Sequence, residues 1–460
     1  MEYNRRRLFV ASCLSLVTNA VAFSVCTDIM GDFERVFHLS KAEVGAAVGW
    51  GAIGGCLVQF VGGALLDYVG IGRMFWLAFA AHMTGLSLVI GAQGFWSLTA
   101  GWFVLSIAGN VVEATINPLA ATMYPERKIS IMNVLHAWWP GGLIVGGLLA
   151  FLFSHALDAC GASAAVKAHS WQIKMGFAYV PTLIYAALIF GQKFPQTERV
   201  QAGVPASQMV REALRPLFLV LVFCMFLTAS TELAPNRWVG VFIQDIVGIR
   251  GILFLVYTSG LMFVLRLFAD RVTRTLSPMG ILIASSVVSA LGLLALSHTS
   301  SMAGVFVAAT VFGIGVTYYW PTMLGVTAER FPKGGAFLLG IIGASGGLFI
   351  SYVTIPGMGM LHDHYTLHAL PAEVHAEVVD KAKNLIDDQK VEAGGERVKA
   401  AVNEARCNAA KITFRWVAVL PAALILIFGL IAAWGGGGRK EEDGGVRAED
   451  GCGRREGSSA

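Results

Sequence analysis

Apolar residues occur along this chain in long blocks separated by short polar breaks. Twelve blocks can be placed, near residues 8–30, 44–66, 74–92, 95–123, 131–155, 173–190, 216–242, 251–269, 278–297, 302–326, 336–360 and 414–434. A helix needs about 17–25 mainly apolar residues to cross the hydrocarbon core of a bilayer. The pattern therefore predicts an all-α membrane protein with twelve transmembrane helices. Composition agrees: 55% of the 460 residues are hydrophobic and 14% charged, where a soluble domain carries roughly 25% charge. This excludes a soluble enzyme. The net charge of +4 is small and points to no nucleic-acid partner; the lipid bilayer is the partner the pattern requires.

Placement of the few charges orients the chain. With the N-terminus inside, one side receives Arg73, then Arg127 and Lys128, then Lys193, Arg199, Arg211 and Arg215. The second half adds Arg271 and Arg274, Arg330 and Lys333, and Arg439 and Lys440. The positive-inside bias makes that side cytoplasmic. The expected location is the inner (cytoplasmic) membrane of the cell, crossed many times, with both termini cytoplasmic. Arg5, Arg6 and Arg7 precede an apolar run too long for the core of a cleavable signal, so the first block stays a helix.

The longest cytoplasmic break, 191–215, is polar and contains Pro195 and Pro205. It reads as a linker between an N-terminal six-helix bundle, 1–190, and a C-terminal one, 216–434. An insertion, 361–411, separates the last two blocks on the outer side. Pro371 can start a helix there, with Val374, Val378, Leu385 and Ile386 at helical spacing and Gly394-Gly395 as its end. Its histidines, His362, His364, His368 and His375, fit no closed metal site, so a solvated cap is expected. The remainder, 435–460, is Gly-rich and charged, as disordered cytoplasmic tails are. The seven cysteines show no metal spacing; Cys160 and Cys407 can share the outer face, where a disulfide is one option.

An internal repeat supports the two halves. Asp67 and Asp270 are 203 residues apart, and so are Pro118 and Pro321, Glu126 and Glu329, and Arg127 and Arg330. At that offset Glu113 corresponds to Val316 and Asp28 to Thr231, so neither acid recurs in the second half. Parallel repeats of this kind are related by an axis along the membrane normal.

Polar groups inside the blocks mark the chemistry. Asn110, Glu113 and Asn117 stand at i, i+3 and i+7, on one face of the fourth helix. A carboxylate at the centre of a membrane helix costs at least ~2.5 kcal/mol, so it should face a cavity or a partner. The residues allow a helix–helix hydrogen bond or a site that carries an ion. No nucleotide-binding loop is present, so ATP is not the expected energy source.

Gly63-Ala-Leu-Leu-Asp67-Tyr-Val-Gly-Ile-Gly-Arg73 resembles the loop signature of the major facilitator superfamily. A weaker copy runs from Gly260 to Asp270-Arg271. The resemblance implies two six-helix bundles that alternate access to a central site. It also implies a cytoplasmic gate of Asp67, Arg73, Glu126 and Arg127 with Asp270, Arg271, Glu329 and Arg330. Thr27-Asp28-Ile-Met with Phe33 and Phe37, Glu113-Ala-Thr-Ile-Asn117-Pro118, Pro125 and Met132-Asn133 resemble the fucose permease branch. In that branch an acid on each of helices one and four handles the coupled proton and the sugar, which implies Asp28 and Glu113 here. Ser230-Thr231-Glu232 resembles the start of helix seven in relatives whose acid faces the cavity. The chain departs from the branch at Val25, His136 and Trp139. The implied cavity is more aromatic, with Trp138, Trp139, Trp238, Tyr318, Tyr319 and Trp320. The expected solute-binding set is Asn117, Asn133, His136, Trp139, Glu232, Asn236, Tyr319 and Trp320.

The expectation is a secondary transporter, acting as a monomer without a cofactor, that takes up a sugar or related small polar solute with protons. One alternative is an exporter of organic anions or drug-like molecules, which should hold a membrane-embedded cation; Arg237 and Arg266 are the candidates, near span ends. The other is a polytopic sensor or membrane enzyme built on His136 or His155, although no nucleophile or metal set accompanies them.

Overall fold

In the computed structural model, the described residues are 3–39, 41–247, 251–380 and 385–437. Eleven of their helices are long and apolar enough to cross a membrane, and Val256–Leu267 is apolar but shorter. We number the spans in chain order. Spans 1 to 5 are Arg5–Phe37, Lys41–Val69, Ile71–Ile90, Phe95–Met123 and Lys128–Ala159. Span 6 is Ser170–Gly176 with Tyr179–Ile189, span 7 is Pro216–Val247 and span 8 is Gly251–Leu267. Span 9 is Pro278–His298, and span 10 is Met302–Val316 with Tyr319–Arg330. Span 11 runs through Gly335–Phe349, a π-helical turn Ile350–Thr354, and Ile355–Ala369; span 12 is Gly395–Val417 with Val419–Gly437.

Prolines set the breaks. Proline lacks the N–H that an α-helix gives to the carbonyl four residues earlier. Span 6 breaks after Gly176, ahead of Pro181; span 10 after Val316, ahead of Pro321; span 12 after Val417, ahead of Pro421. The π turn of span 11 precedes Pro356 in the same way. Pro118, Pro140 and Pro235 lie inside continuous helices.

The insertion between the last two spans differs in part from expectation. The 361–411 insertion is largely helix extending from spans 11 and 12. Between them lie Ala372–Val378, a two-residue hairpin pairing Val379 with Ile386, and Asp388–Ala393. Val374 and Val378 are buried with Leu367, Val398 and Val402, as the helical spacing requires. Leu385 and Ile386 instead form a strand, because the helix has already ended at Val378. Cys160 and Cys407 are both free thiols. Arg439, Lys440, Cys452 and most of the expected tail, 438–460, lie outside the described residues.

The repeat is real, but its register is corrected. Span 3 starts at Ile71 and span 9 at Pro278; span 4 starts at Phe95 and span 10 at Met302; span 5 starts at Lys128 and span 11 at Gly335. Each pair is 207 residues apart. The caps agree: Tyr124 has φ −131 and ψ 62, Phe331 has φ −128 and ψ 55, and a short 3-10 turn follows each at Pro125 and Pro332. Helix contacts agree as well. A Cβ on Gly85 would meet Leu105, and one on Gly292 would meet Phe312, again 207 apart in both members.

Asp67 stands four residues before span 3, whereas Asp270 stands eight before span 9. The second half thus has four more residues after its Asp. The pairs Pro118/Pro321, Glu126/Glu329 and Arg127/Arg330 are therefore one helical turn out of step, and Asp67 lies inside span 2 whereas Asp270 lies in the short helix Ala269–Thr275 after span 8. A four-residue slip returns to nearly the same helix face, so the sequence match survives it. In the corrected register Glu113 corresponds to Trp320, not Val316.

Close helix approach at Gly292 makes a testable demand. A Cβ there would lie 2.4 Å from the Phe312 backbone, whereas one on Gly45 would meet nothing. Overpacking typically costs about 1–3 kcal/mol. Gly292→Ala should lower the thermal midpoint in detergent by several degrees, with Gly45→Ala unchanged. Equal midpoints for the two variants would contradict this packing.

Candidate functional site

Spans 4, 5, 7, 8 and 10 bring polar groups together where the two halves meet. Glu113 and Asn117, one turn apart on span 4, are hydrogen bonded: Asn117 Nδ2 donates to Glu113 Oε2 at 2.9 Å. Asn117 Oδ1 lies 3.0 Å from His136 Nε2 on span 5, and that nitrogen is 3.9 Å from Glu113 Oε2. The Glu113 side chain keeps 19% of its surface, while Asn117 and His136 are buried. Among the described residues no Lys or Arg makes an ion pair with Glu113. Its polar neighbours are thus an amide and an imidazole.

The second half supplies a compensated charge. Arg266 Nη2 donates to Glu232 Oε1 at 2.7 Å, and both side chains are 3% exposed. Arg266 Nε donates to the Thr317 carbonyl at 2.6 Å and Nη1 to the His136 carbonyl at 3.0 Å. Glu232 Oε2 accepts from the Trp320 backbone N–H at 3.3 Å. Arg266 thus stands in the last turn of span 8, as expected near a span end, yet its side chain is buried within this cluster. The sequence signal was available, since a membrane-embedded arginine is a functional candidate by default. The side chain of Arg237, the other cation considered, lies outside the described residues.

Two buried acceptors have no partner. Asn133 Nδ2 donates to the Ile129 carbonyl at 2.9 Å and to Thr322 Oγ1 of span 10 at 3.2 Å, leaving Oδ1 unsatisfied. Asn236 Nδ2 donates to the Glu232 carbonyl at 2.7 Å, and its Oδ1 is likewise unsatisfied. Buried polar atoms are nearly always paired, so two orphaned acceptors beside the same cluster need a ligand or water with donors.

The aromatic residues divide. Trp139 is half-buried against Phe23, with ring centroids 5.9 Å apart, and Trp320 is half-buried beside Glu232. Tyr319 is corrected: it is fully buried and its hydroxyl bonds Ser286 and Ser289 of span 9, each at 3.0 Å. It faces the interior of the second half because successive helical residues point about 100° apart. Asn110 is also corrected. Its amide donates to the Ser106 carbonyl at 2.8 Å, and a Cβ on Gly55 of span 2 would meet it, so it lies in the span 2–span 4 contact.

Asp28 does not share this cluster. Asn19 packs beside Gly109, which sets span 1 residue 19 level with span 4 residue 109. Glu113 then lies near the level of residue 15, and Asp28 stands thirteen residues further along span 1, ~20 Å away along the axis. Asp28 Oδ2 accepts instead from Lys174 Nζ of span 6 at 2.7 Å, with 33% of its side chain exposed. Partly exposed ion pairs contribute about 0–1 kcal/mol. Asp28→Asn should therefore reduce gradient-driven uptake far less than Glu113→Gln, within about threefold; a loss as complete as that of Glu113→Gln would return Asp28 to the coupling machinery.

The face carrying the linker is closed. Gly63 of span 2 approaches Ala336 of span 11, and Gly325 of span 10 approaches Ile129 of span 5. Asp67 sits 1% exposed in this seam, and Arg199 of the linker donates to it at 2.6 Å, with Thr197 as a second donor. Lys128 of span 5 donates to Glu198 at 2.7 Å and to the Ala328 carbonyl at 3.2 Å, joining linker and both halves. Asp270 accepts from Arg274 at 2.7 Å and from Ser130 of span 5 at 3.3 Å. The expected gate is thus corrected in membership. Arg73, Arg271, Glu126, Arg127 and Arg330 are exposed, and Arg127 lies over the Tyr124 ring. Glu329, also exposed, accepts from the Ile129 backbone N–H. The linker supplies the partners of Asp67 and Lys128, whereas Asp270 pairs with the exposed Arg274 of its own short helix.

Comparison with known proteins fits this architecture. The chain is similar to a solved Major Facilitator Superfamily transporter, FucP, in the outward conformation, at 14% identity and a TM-score of 0.63, covering 90% of this chain and 98% of that one. It is similar to the proton:xylose symporter XylE at 12% identity and a TM-score of 0.64, covering 92% of this chain and 94% of that one. It is similar to the human organic anion transporter MFSD10 at 11% identity and a TM-score of 0.66, covering 93% and 100%. At these identities the likeness shows the fold alone. Among curated sequences, Myo-inositol transporter 1 of Candida albicans is 26% identical over 192 residues, 41% of this chain and 30% of that protein, so the match spans less than a third of that relative's length. The model of the Major Facilitator Superfamily matches residues 8–354, three quarters of the chain, and with the twelve spans in two halves this places the protein in that family as a multi-pass membrane transporter, not an enzyme.

Proposed function

We propose that this protein carries an uncharged polyhydroxylated solute, a sugar or a polyol, together with protons, by alternating access to the site between its halves. The carrying observation is the contrast within one site: among the described residues Glu113 has an amide and an imidazole but no Lys or Arg paired with it, while Arg266 is matched by Glu232. An uncompensated carboxyl with partial access can exchange a proton between the two faces. The orphaned oxygens of Asn133 and Asn236 are acceptors and call for a solute that donates, as hydroxyls do. Trp139 and Trp320 offer flat apolar surface for the faces of a ring. Relatives described as carriers of xylose and of myo-inositol support the same class.

An organic-anion site is less well supported. It would need a free cation, and Arg266 is engaged by one carboxylate and two carbonyls. The proposed orientation puts the linker face in the cytoplasm, so the closed seam corresponds to access from outside. The test is uptake of labelled myo-inositol, xylose, fucose and glucose into vesicles holding the full chain, with and without an imposed pH gradient. Accumulation of at least one of them only with the gradient is expected. Gradient-driven movement of carboxylate solutes, with none of the four transported, would overturn the proposal.

A further inference from the structure

Two of the three acceptors of Arg266 share a feature. They are backbone carbonyls, that of His136 inside span 5 and that of Thr317 at the break of span 10. The residue four positions after His136 is Pro140, and the residue four after Thr317 is Pro321. Neither proline has an N–H, so both carbonyls lose their helical donor. His136 belongs to span 5 of the first half and Thr317 to span 10 of the second. Span 5 continues unbroken through Pro140, and span 10 breaks at Thr317. In both cases the freed carbonyl is buried and its replacement donor is the same guanidinium.

We propose that Arg266 is a positioning residue that ties the two halves together, by capping one proline-freed carbonyl from each. The planar fork of arginine can reach two carbonyls and a carboxylate at once; the ammonium of lysine is a point charge that cannot. Glu232 serves as the counter-charge that lets the guanidinium stay buried. The tie joins spans 5 and 10, and those same two spans pack at the linker face through Ile129 and Gly325 and through Lys128 and the Ala328 carbonyl. Arg266 thereby sets how readily span 5 separates from span 10. The inference holds for any transported solute, since no ligand enters it.

The test needs no substrate. Hydrogen exchange at the linker-face turns Pro125–Arg127 and Pro332–Gly334 is measured on the full chain in detergent, together with the thermal midpoint. Arg266→Lys keeps the charge opposite Glu232 but loses the fork. It should speed exchange at both turns at least threefold and lower the midpoint. Pro140→Ala alone gives the His136 carbonyl its own helical donor; it should speed exchange about twofold without lowering the midpoint. In the double variant Pro140→Ala should recover part of the midpoint and leave exchange as fast as in Arg266→Lys. Restored exchange along with the midpoint would mean that Arg266 only fills orphaned carbonyls, and would overturn the tie. Unchanged exchange in Pro140→Ala would overturn it too, which keeps the idea testable if Arg266→Lys does not fold. Failure of the sugar or polyol panel would leave these outcomes untouched.

Discussion

Glu113→Gln should abolish accumulation against a gradient and spare exchange at equal concentrations. One proton per solute gives a driving force of about 1.4 kcal/mol per pH unit, enough for roughly tenfold accumulation. A carrier that no longer binds the proton can only equilibrate its solute, so the tenfold ratio falls to one. Gln keeps the size of Glu and can still pair with Asn117, which donates at 2.9 Å in the native protein. It resembles the protonated carboxyl in shape but cannot ionise. Counterflow, in which labelled solute enters against unlabelled solute at matched pH, should therefore survive. Both assays use the same vesicles and separate a coupling defect from a binding defect. Undiminished pH-driven accumulation by the variant would reduce Glu113 to a helix–helix hydrogen bond with Asn117.

Asp67→Asn should shift the protein away from the state closed at the linker face. Asp67 and Arg199 are 1% and 7% exposed as side chains, and removing one partner of a buried ion pair typically costs about 3–5 kcal/mol. That cost falls on the closed state alone, because the pair joins span 2 to the linker within the closed seam. A shift of this size changes the ratio of the two states by more than a hundredfold. Turnover should fall at least tenfold, while solute affinity from the opposite side changes little beyond the altered population. Arg199→Gln should reproduce the effect, and the double variant should cost less than the sum of the two single ones, as expected for a contacting pair. Strict additivity would show that the two residues act independently. Loss of affinity with normal turnover would argue against a gating role.

Much of this was legible in the amino-acid sequence because membrane physics constrains it so tightly. A bilayer without hydrogen-bonding solvent demands helices of a fixed minimum length, so blocks of apolar residues translate directly into spans. The same constraint made Glu113 conspicuous and put Asn117 on its face, whereas the contact of both with His136 appears only in the packed helices. The internal repeat is visible too, but matching residue identities give an offset one helical turn shorter than the helices do. A four-residue difference after the Asp motif leaves helix faces almost in phase, so residue identities could not reveal it. Helix starts, the matched caps at Tyr124 and Phe331, and the Gly85 and Gly292 contacts did.

Packing in three dimensions decided the rest. Tyr319 and Trp320 are neighbours in sequence and carry equal aromatic signal, yet one serves the span 9 contact and the other the site. Asp67 and Arg73 share a motif, yet burial pairs Asp67 with Arg199, 132 residues away. Asp28 and Glu113 look alike as membrane carboxylates; only the level of each on its helix separates an ion pair with Lys174 from the central cluster. The chain by itself determined the helices, their number and the presence of a carboxyl inside span 4, since desolvation is a property of segments. Which charges meet depends on angles and heights between segments distant in sequence, and those are set only when the helices pack.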